Sequence, residues 1–307
     1  MTRTLSPALL FLLAMALLSC NATRTVAPSG EASAKTAAAR PATVDAGVAL
    51  YTLREEMGED PRGTLAAVAE LGYAYVEAAG YDADARTFYG MAPAAFAAYL
   101  DSLGLAPKST HMGMVTRDNV DALVADSRAA GFAYLVIPVP PMGDFGVNED
   151  TRTMLMKKPM AEVMADVNYI AERGRDGGIQ VLYHNHDFEF KPAAGGVVPI
   201  EYFLEHSDPA VLNFQMDLFW VTKAGADPVA YIEKYPGRWT SFHVKDMDAE
   251  GRFAPVGKGG IDFARVLAKR GTAGTEFLLV EQDQVFDGMT ALEAVAESKV
   301  GLGALGL

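Results

Sequence analysis

The 307-residue chain predicts an α/β fold, a single closed (β/α)8 barrel, on three observations. From Ala46 onward, eight short apolar runs alternate with longer amphipathic stretches, the pattern of parallel strands joined by right-handed helical crossovers. These units occupy residues 45–307, the length that eight of them need to close on themselves. The rival, an open doubly wound sheet, usually has fewer strands and a Gly-rich first turn, whereas here that turn reads Thr52-Leu-Arg-Glu-Glu.

Each element has a local cause. Gly47-Val-Ala-Leu-Tyr51 is a buried-strand run, and Asp60-Pro61 supplies the N-cap and first residue of a helix whose apolar positions are Leu65, Val68, Ala69 and Leu71. Gly72 stops it, and Tyr73–Glu77 is the second strand. Pro93 opens a helix that Gly104 ends, and Ala106–His111 is the third strand. A helix over 118–130 and the strand Phe132–Pro138 follow. The excursion Val139–Lys158 precedes a helix over 159–176 and the fifth strand, Ile179–His186. Pro199–His206 is helical, Val211–Asp217 is the sixth strand, and Asp227-Pro228 caps another helix. Thr240–Lys245, a helix over 261–270, Glu276–Glu281 and a helix over 288–300 complete the set.

The segment before the barrel reads as an address. Arg3 is followed by an eleven-residue apolar run, Ala8–Leu18, too short to cross a bilayer but suited to a signal peptide. Leu17-Leu-Ser-Cys20 resembles the lipobox of bacterial lipoproteins. That resemblance implies cleavage before Cys20 and acylation of its thiol and amino group; an ordinary secretory signal with an incidental cysteine is the plainer alternative. Asn21 favours passage to the outer membrane in that family. The expected divisions are a signal peptide over 1–19, a lipidated tether over 20–44 and the barrel over 45–307. The place is the cell envelope, at the periplasmic face of the outer membrane, with membrane contact through the lipid anchor alone. Cys20 is the sole cysteine, which excludes an intrachain disulfide and a Cys-rich zinc site. Thirty-nine acidic against 26 basic residues, a formal charge of −13, opposes nucleic-acid binding.

In a barrel of this kind chemistry gathers at the carboxyl ends of the strands. Four of the five histidines fall there: His111, His184, His186 and His243, joined by Asp217 and Glu281. Each follows an apolar run, where an unpaired ionisable group is costly. One strand-end histidine is readily satisfied by a backbone bond; six such residues on one rim are hard to treat as independent. His206, at a helix end, is the contrasting case, a dipole partner or plain surface. His184, Asp217, His243 and Glu281, on strands five to eight, form a mixed nitrogen and oxygen ligand set for one divalent ion: Mn, Co, Zn, Mg or Fe. A polar network without metal is the alternative.

At these residues the chain is similar to the xylose isomerase-like TIM barrels, a family of sugar isomerases, epimerases, dehydratases and an endonuclease branch. The matching segments are Leu71–Glu77, Tyr183-His-Asn-His-Asp187, Met216-Asp217, His243-Val-Lys-Asp246, Gly257–Asp262 and Val280-Glu281. The resemblance implies a metal on His184, Asp217, His243 and Glu281, and a sugar or keto-sugar substrate that forms an enediolate. Many family epimerases place Glu where His184 stands, so the second proton-transfer group is open among His184, His186 and Glu77, with Glu281 as the first. His111, His186, Lys245, Asp246 and Trp220 are the expected substrate contacts, with Phe188 and Phe219 as further candidate sugar-facing rings. Gly257-Lys-Gly-Gly260 is either a phosphate cradle or a plain turn. Isomerase/epimerase chemistry on a non-phosphorylated sugar leads; a keto-sugar lyase or dehydratase on the same site and a non-catalytic sugar-binding lipoprotein are the alternatives. Homo-oligomerisation is left open.

Overall fold

A computed structural model describes residues 46–141, 143–148, 154–286 and 288–307. The expected signal peptide, Cys20 and the whole tether lie outside them. Eight parallel strands close into a barrel: β1 (Gly47–Ala49), β2 (Tyr75–Ala78), β3 (Ala106–His111), β4 (Tyr134–Ile137), β5 (Gln180–His184), β6 (Leu212–Asp217), β7 (Trp239–Val244) and β8 (Phe277–Val280). Neighbours follow chain order, and β1 pairs with both β2 and β8 to seal the ring. The expected (β/α)8 TIM barrel is the observed fold.

The helices are α1 (Arg54–Glu59), α2 (Pro61–Leu71), α3 (Pro93–Leu103), α4 (Val120–Ala129), α5 (Met160–Asp176), α6 (Pro199–Glu205), α7 (Leu218–Lys223), α8 (Pro228–Lys234), α9 (Phe263–Leu267), α10 (Arg270–Ala273) and α11 (Ala291–Ala304). Their ends follow the expected chemistry. Asp60 accepts from Gly63 N and Pro61 sits at the first position of α2, while Gly72 leaves it with φ of 83°. A capping box between Thr290 and Glu293 starts α11. Two short helices, α1 and α7, went unforeseen because six residues carry too little periodicity to read. The helix expected over 261–270 is two pieces, α9 and α10.

The apolar residues form two separate clusters. The larger packs the outer faces of the strands against the helices. The smaller lies inside the ring: Tyr75, Tyr134, Val136, Leu182, Phe277 and Leu279. Alternation along each strand explains the split, since every second side chain faces the axis. Gly47 makes room for this inner cluster, because a Cβ there would stand 2.2 Å from the ring of Tyr75. Above it, toward the carboxyl ends, the inward residues turn polar: Glu77, Ser109, His111, His184, Gln215 and His243, all buried or nearly so.

Candidate functional site

Register brings these polar residues side by side. Glu77 pairs with Ser109, Gln215 with His184, and Asp217 with His243 across neighbouring strands. Glu77, 1 % exposed, is the hub of the layer. Its Oε2 accepts from Ser109 Oγ at 2.7 Å and Gln215 Nε2 at 2.8 Å. Its Oε1 lies 2.8 Å from His243 Nε2 and 3.0 Å from His111 Nε2. Gln215 Oε1 in turn meets His111 Nε2 and His184 Nδ1, each at 2.9 Å.

The next layer outward is ionic. His243 Nδ1 is 2.9 Å from Glu281 Oε2. Lys245, 1 % exposed, sets its ammonium 2.6 Å from Glu281 Oε2, 2.9 Å from Asp217 Oδ2 and 2.8 Å from Asp283 Oδ1. Asp217 has a divided role. Its Oδ1 accepts from Trp220 N at 3.0 Å and so caps α7, while Oδ2 faces Lys245, His184 Nε2 at 3.8 Å and His243 Nδ1 at 3.9 Å. Asn185, between His184 and His186 just past the end of β5, accepts from Asp217 N at 3.1 Å and ties the ends of β5 and β6 together.

Electrostatics follow from this packing. Burial opposes charge on His243, but the flanking Glu281 and Glu77 overcome it and push the ring up to about 10. Burial raises Glu281, yet Lys245 and His243 outweigh it and hold the carboxyl well below the usual range. Glu77 is likewise held low, by His111 and His243 against burial. Burial first, then the neighbouring imidazoles, keeps His184 neutral, and burial takes His186 down to about 3. Burial raises Asp217 despite Lys245, and pushes Asp283 up to about 6.

A cavity of about 290 Å³ opens over this cluster, walled by His111, His184, His186, Lys245, Glu281 and Asp283, with Tyr51 at its edge. Its size suits a small polar molecule. The expected residues therefore divide. His111, His184, His186, Lys245 and Glu281 reach the cavity; Asp217 and His243 lie beneath it. Glu77 is not among the residues that wall it: both oxygens are engaged below, with Ser109, Gln215 and His243. Asp246 does not wall it either. Its Oδ2 accepts from Gly257 N and Gly259 N at 2.9 Å each, and Oδ1 from Met247 N at 2.8 Å and Ile261 N at 3.1 Å. It folds the Gly-rich loop, and a Cβ at Gly259 would stand 2.3 Å from that carboxylate. The N–H groups a phosphate would need are thus taken, which favours the plain turn. Trp220 stands behind the wall, its ring 5.5 Å from His186 and 5.6 Å from the Lys245 ammonium. Phe188 stacks on His186, and Phe219 packs on Trp220 and Phe253. His206 stacks on Tyr202 at the surface, away from the site.

Sequence reading missed Gln215, Asp283 and Glu189. Gln215 was findable, because two-residue alternation puts it on the same face as Asp217. Glu189, fully buried, accepts from Tyr183 OH and from His186 N, each at 2.8 Å, and holds the turn that presents His186.

The residues fit a divalent ion. The ligand atoms of Asp217, His243 and Glu281 lie within 4.8 Å of one another, as do those of His111, His184 and His243. The donor types are imidazole and carboxylate, and His243 carries a carboxylate on its other nitrogen, as metal-bound histidines do. Four carboxylates, Glu77, Asp217, Glu281 and Asp283, surround Lys245 and His243, so acidic groups outnumber basic ones in this cluster.

The barrel and its rim of histidines and carboxylates define a TIM-barrel protein with a polar site at the carboxyl ends of its strands, and comparison agrees on the fold. The family model described as xylose isomerase-like TIM barrel matches residues 65–294. The chain belongs to that family. Among solved structures it is similar to a sugar phosphate isomerase/epimerase from Parabacteroides distasonis ATCC 8503, with 27 % identity and a TM-score of 0.70 over 86 % of this chain and 96 % of that one. It shares its fold with an L-ribulose 3-epimerase, at 16 % identity and a TM-score of 0.62, covering 85 % and 95 %. The same holds for the IOLI protein with a bound zinc atom, at 15 % and 0.66, covering 85 % and 98 %. No curated protein matches the chain by sequence.

Proposed function

We propose that this protein is a divalent-metal-dependent sugar isomerase or epimerase acting on a non-phosphorylated sugar or keto-sugar. The observation that carries the reading is the convergence of His184, Asp217, His243 and Glu281 beneath a polar cavity, with acidic groups outnumbering basic ones. Similarity to a sugar phosphate isomerase/epimerase structure supports it. These four residues would hold the ion. Bound there, it would polarise a substrate carbonyl and stabilise the enediolate formed when the neighbouring proton leaves. Lys245 bridges Asp217 and Glu281 and reaches Asp283 as a third partner. Glu281, Asp283 and His186 are the groups on the cavity placed to move the proton, and His111 orients a hydroxyl. The Asp246-filled glycine loop supports a substrate without phosphate.

One observation favours a second reading, a keto-sugar lyase or dehydratase. Glu77 is fully engaged, so no second glutamate faces the cavity opposite Glu281, and elimination needs only one base and one acid. Incubating the metal-loaded protein with free ketoses and keto-sugars in deuterated water and following products by NMR separates them. Deuterium beside the carbonyl without loss of water or aglycone supports the isomerase/epimerase; an unsaturated or deglycosylated product supports the lyase. No turnover and no retained metal would leave a sugar-binding protein. The lipid anchor is part of the proposal: labelled palmitate should enter the wild-type chain and not Cys20→Ala.

A further inference from the structure

We infer that the buried pair Glu77–Gln215 fixes which ring nitrogen carries the proton on His184 and His111. It is a positioning device that leaves Nε2 of His184 as the unprotonated nitrogen, directed at Asp217. The inference rests on the proposed ion site only for its purpose; the proton positions follow from geometry alone.

The chain of reasoning starts at Glu77. An ionised carboxylate accepts and cannot donate. Its Oε2 lies 2.8 Å from one end of the Gln215 amide, so that end is the NH2 group. A second contact from the same nitrogen, to Ser241 Oγ at 3.4 Å, agrees. The amide oxygen is thereby turned to the opposite side, where His111 Nε2 and His184 Nδ1 both stand at 2.9 Å. A carbonyl oxygen only accepts, so both nitrogens must carry hydrogen. The neutral ring of His184 then has its lone pair on Nε2, the atom that faces Asp217 Oδ2 at 3.8 Å. For His243 the carboxylate acts directly. Glu77 Oε1 accepts from Nε2 at 2.8 Å, and Nδ1 meets Glu281 Oε2 at 2.9 Å. One carboxylate on β2 thus orients imidazoles on β3, β5 and β7. Glutamine is suited to the relay because a single planar group offers donors on one side and an acceptor on the other.

The test uses the full-length protein, ion-free, with histidine labelled by ¹⁵N. Wild type should show His184 protonated at Nδ1 with an unprotonated Nε2, and His111 protonated at Nε2. Gln215→Met, similar in shape but without the amide, should lose the single His184 tautomer and bind Mn²⁺ roughly 10–100-fold more weakly by calorimetry. Gln215→Glu should rescue both, since a protonated carboxyl donates to Glu77 and accepts from the histidines in the same pattern. If Gln215→Met does not fold, wild type and Gln215→Glu decide alone. His184 protonated at Nε2 in wild type, or an unchanged tautomer and affinity in a folded Gln215→Met, would overturn the inference. The expected tautomers without Mn²⁺ binding would instead count against the proposed metal function and leave the proton positions standing.

Discussion

The interior of the barrel has two ends built from the same strands and on opposite principles. At the amino-terminal end the inward residues are Tyr75, Tyr134 and Phe277, closed by the Lys108 ammonium, which lies 5.8, 5.7 and 5.0 Å from their ring centres. Tyr75 and Phe277 meet edge to face, and Tyr134 donates to Glu276 at 2.5 Å. Two residues further along the same strands, Tyr75 gives way to Glu77 and the partners become histidines and carboxylates. The lower end buries apolar area and satisfies its few polar atoms locally. The upper end concentrates charge, with acidic groups outnumbering basic ones. Packing is concentrated below and titratable groups above, the division that a parallel barrel allows between its two ends.

The largest effect expected from breaking this division is at the lower end. Phe277→Ala removes a ring packed on two tyrosines and should cost about 3–5 kcal/mol in chemical denaturation, with turnover per folded molecule unchanged. Asp217→Asn is its counterpart above: turnover in the deuterium assay should fall roughly 10²–10³-fold, a loss typical of removing a catalytic electrostatic partner. Its melting temperature should hold, because one carboxylate is neutralised in a cluster with carboxylate in excess. Equal loss of activity in both variants would erase the distinction.

Glu189 sharpens the comparison by pH. Burial pushes its carboxyl up to about 8, against 4.5 in an unfolded chain. The native state therefore keeps a proton that the unfolded state has released. The stability tied to it is full below 4.5 and is lost as pH rises through 8. Glu189→Gln should flatten the decline in melting temperature between pH 5 and 8 relative to wild type; an unchanged slope would remove Glu189 as its source. The smallest effect is Lys108→Met, which keeps the stem and loses the cation over the rings, for about 0.5–1 kcal/mol or less and no change in turnover.

How much of this could be read in the sequence depends on whether the cause was local. Asp60-Pro61 and Gly72 bound α2 as expected, and β3 runs from Ala106 to His111 as read, because caps and apolar runs act through nearest neighbours. His111, His184 and His243 stood out as polar residues ending apolar runs. Gln215 did not, because a glutamine inside Asn-Phe-Gln-Met looks like ordinary alternation until β5 and β6 pair His184 beside it. Glu77 was visible, but its enclosure by Ser109, Gln215 and His243 depends on the register of four strands. Asp283 follows β8 in a loop and reaches Lys245 because β7 and β8 pair side by side, a register the sequence does not print.

The claim that the upper end is a metal site is tested most directly by metal content. The purified protein should be stripped with chelator, reloaded separately with Mn²⁺, Co²⁺ and Zn²⁺, dialysed and measured by elemental analysis beside Asp217→Asn. The account predicts about one ion per chain in wild type with at least one of these metals, and below about 0.1 in the variant. Wild type that retains no ion after reloading, or a variant that retains as much as wild type, would contradict it.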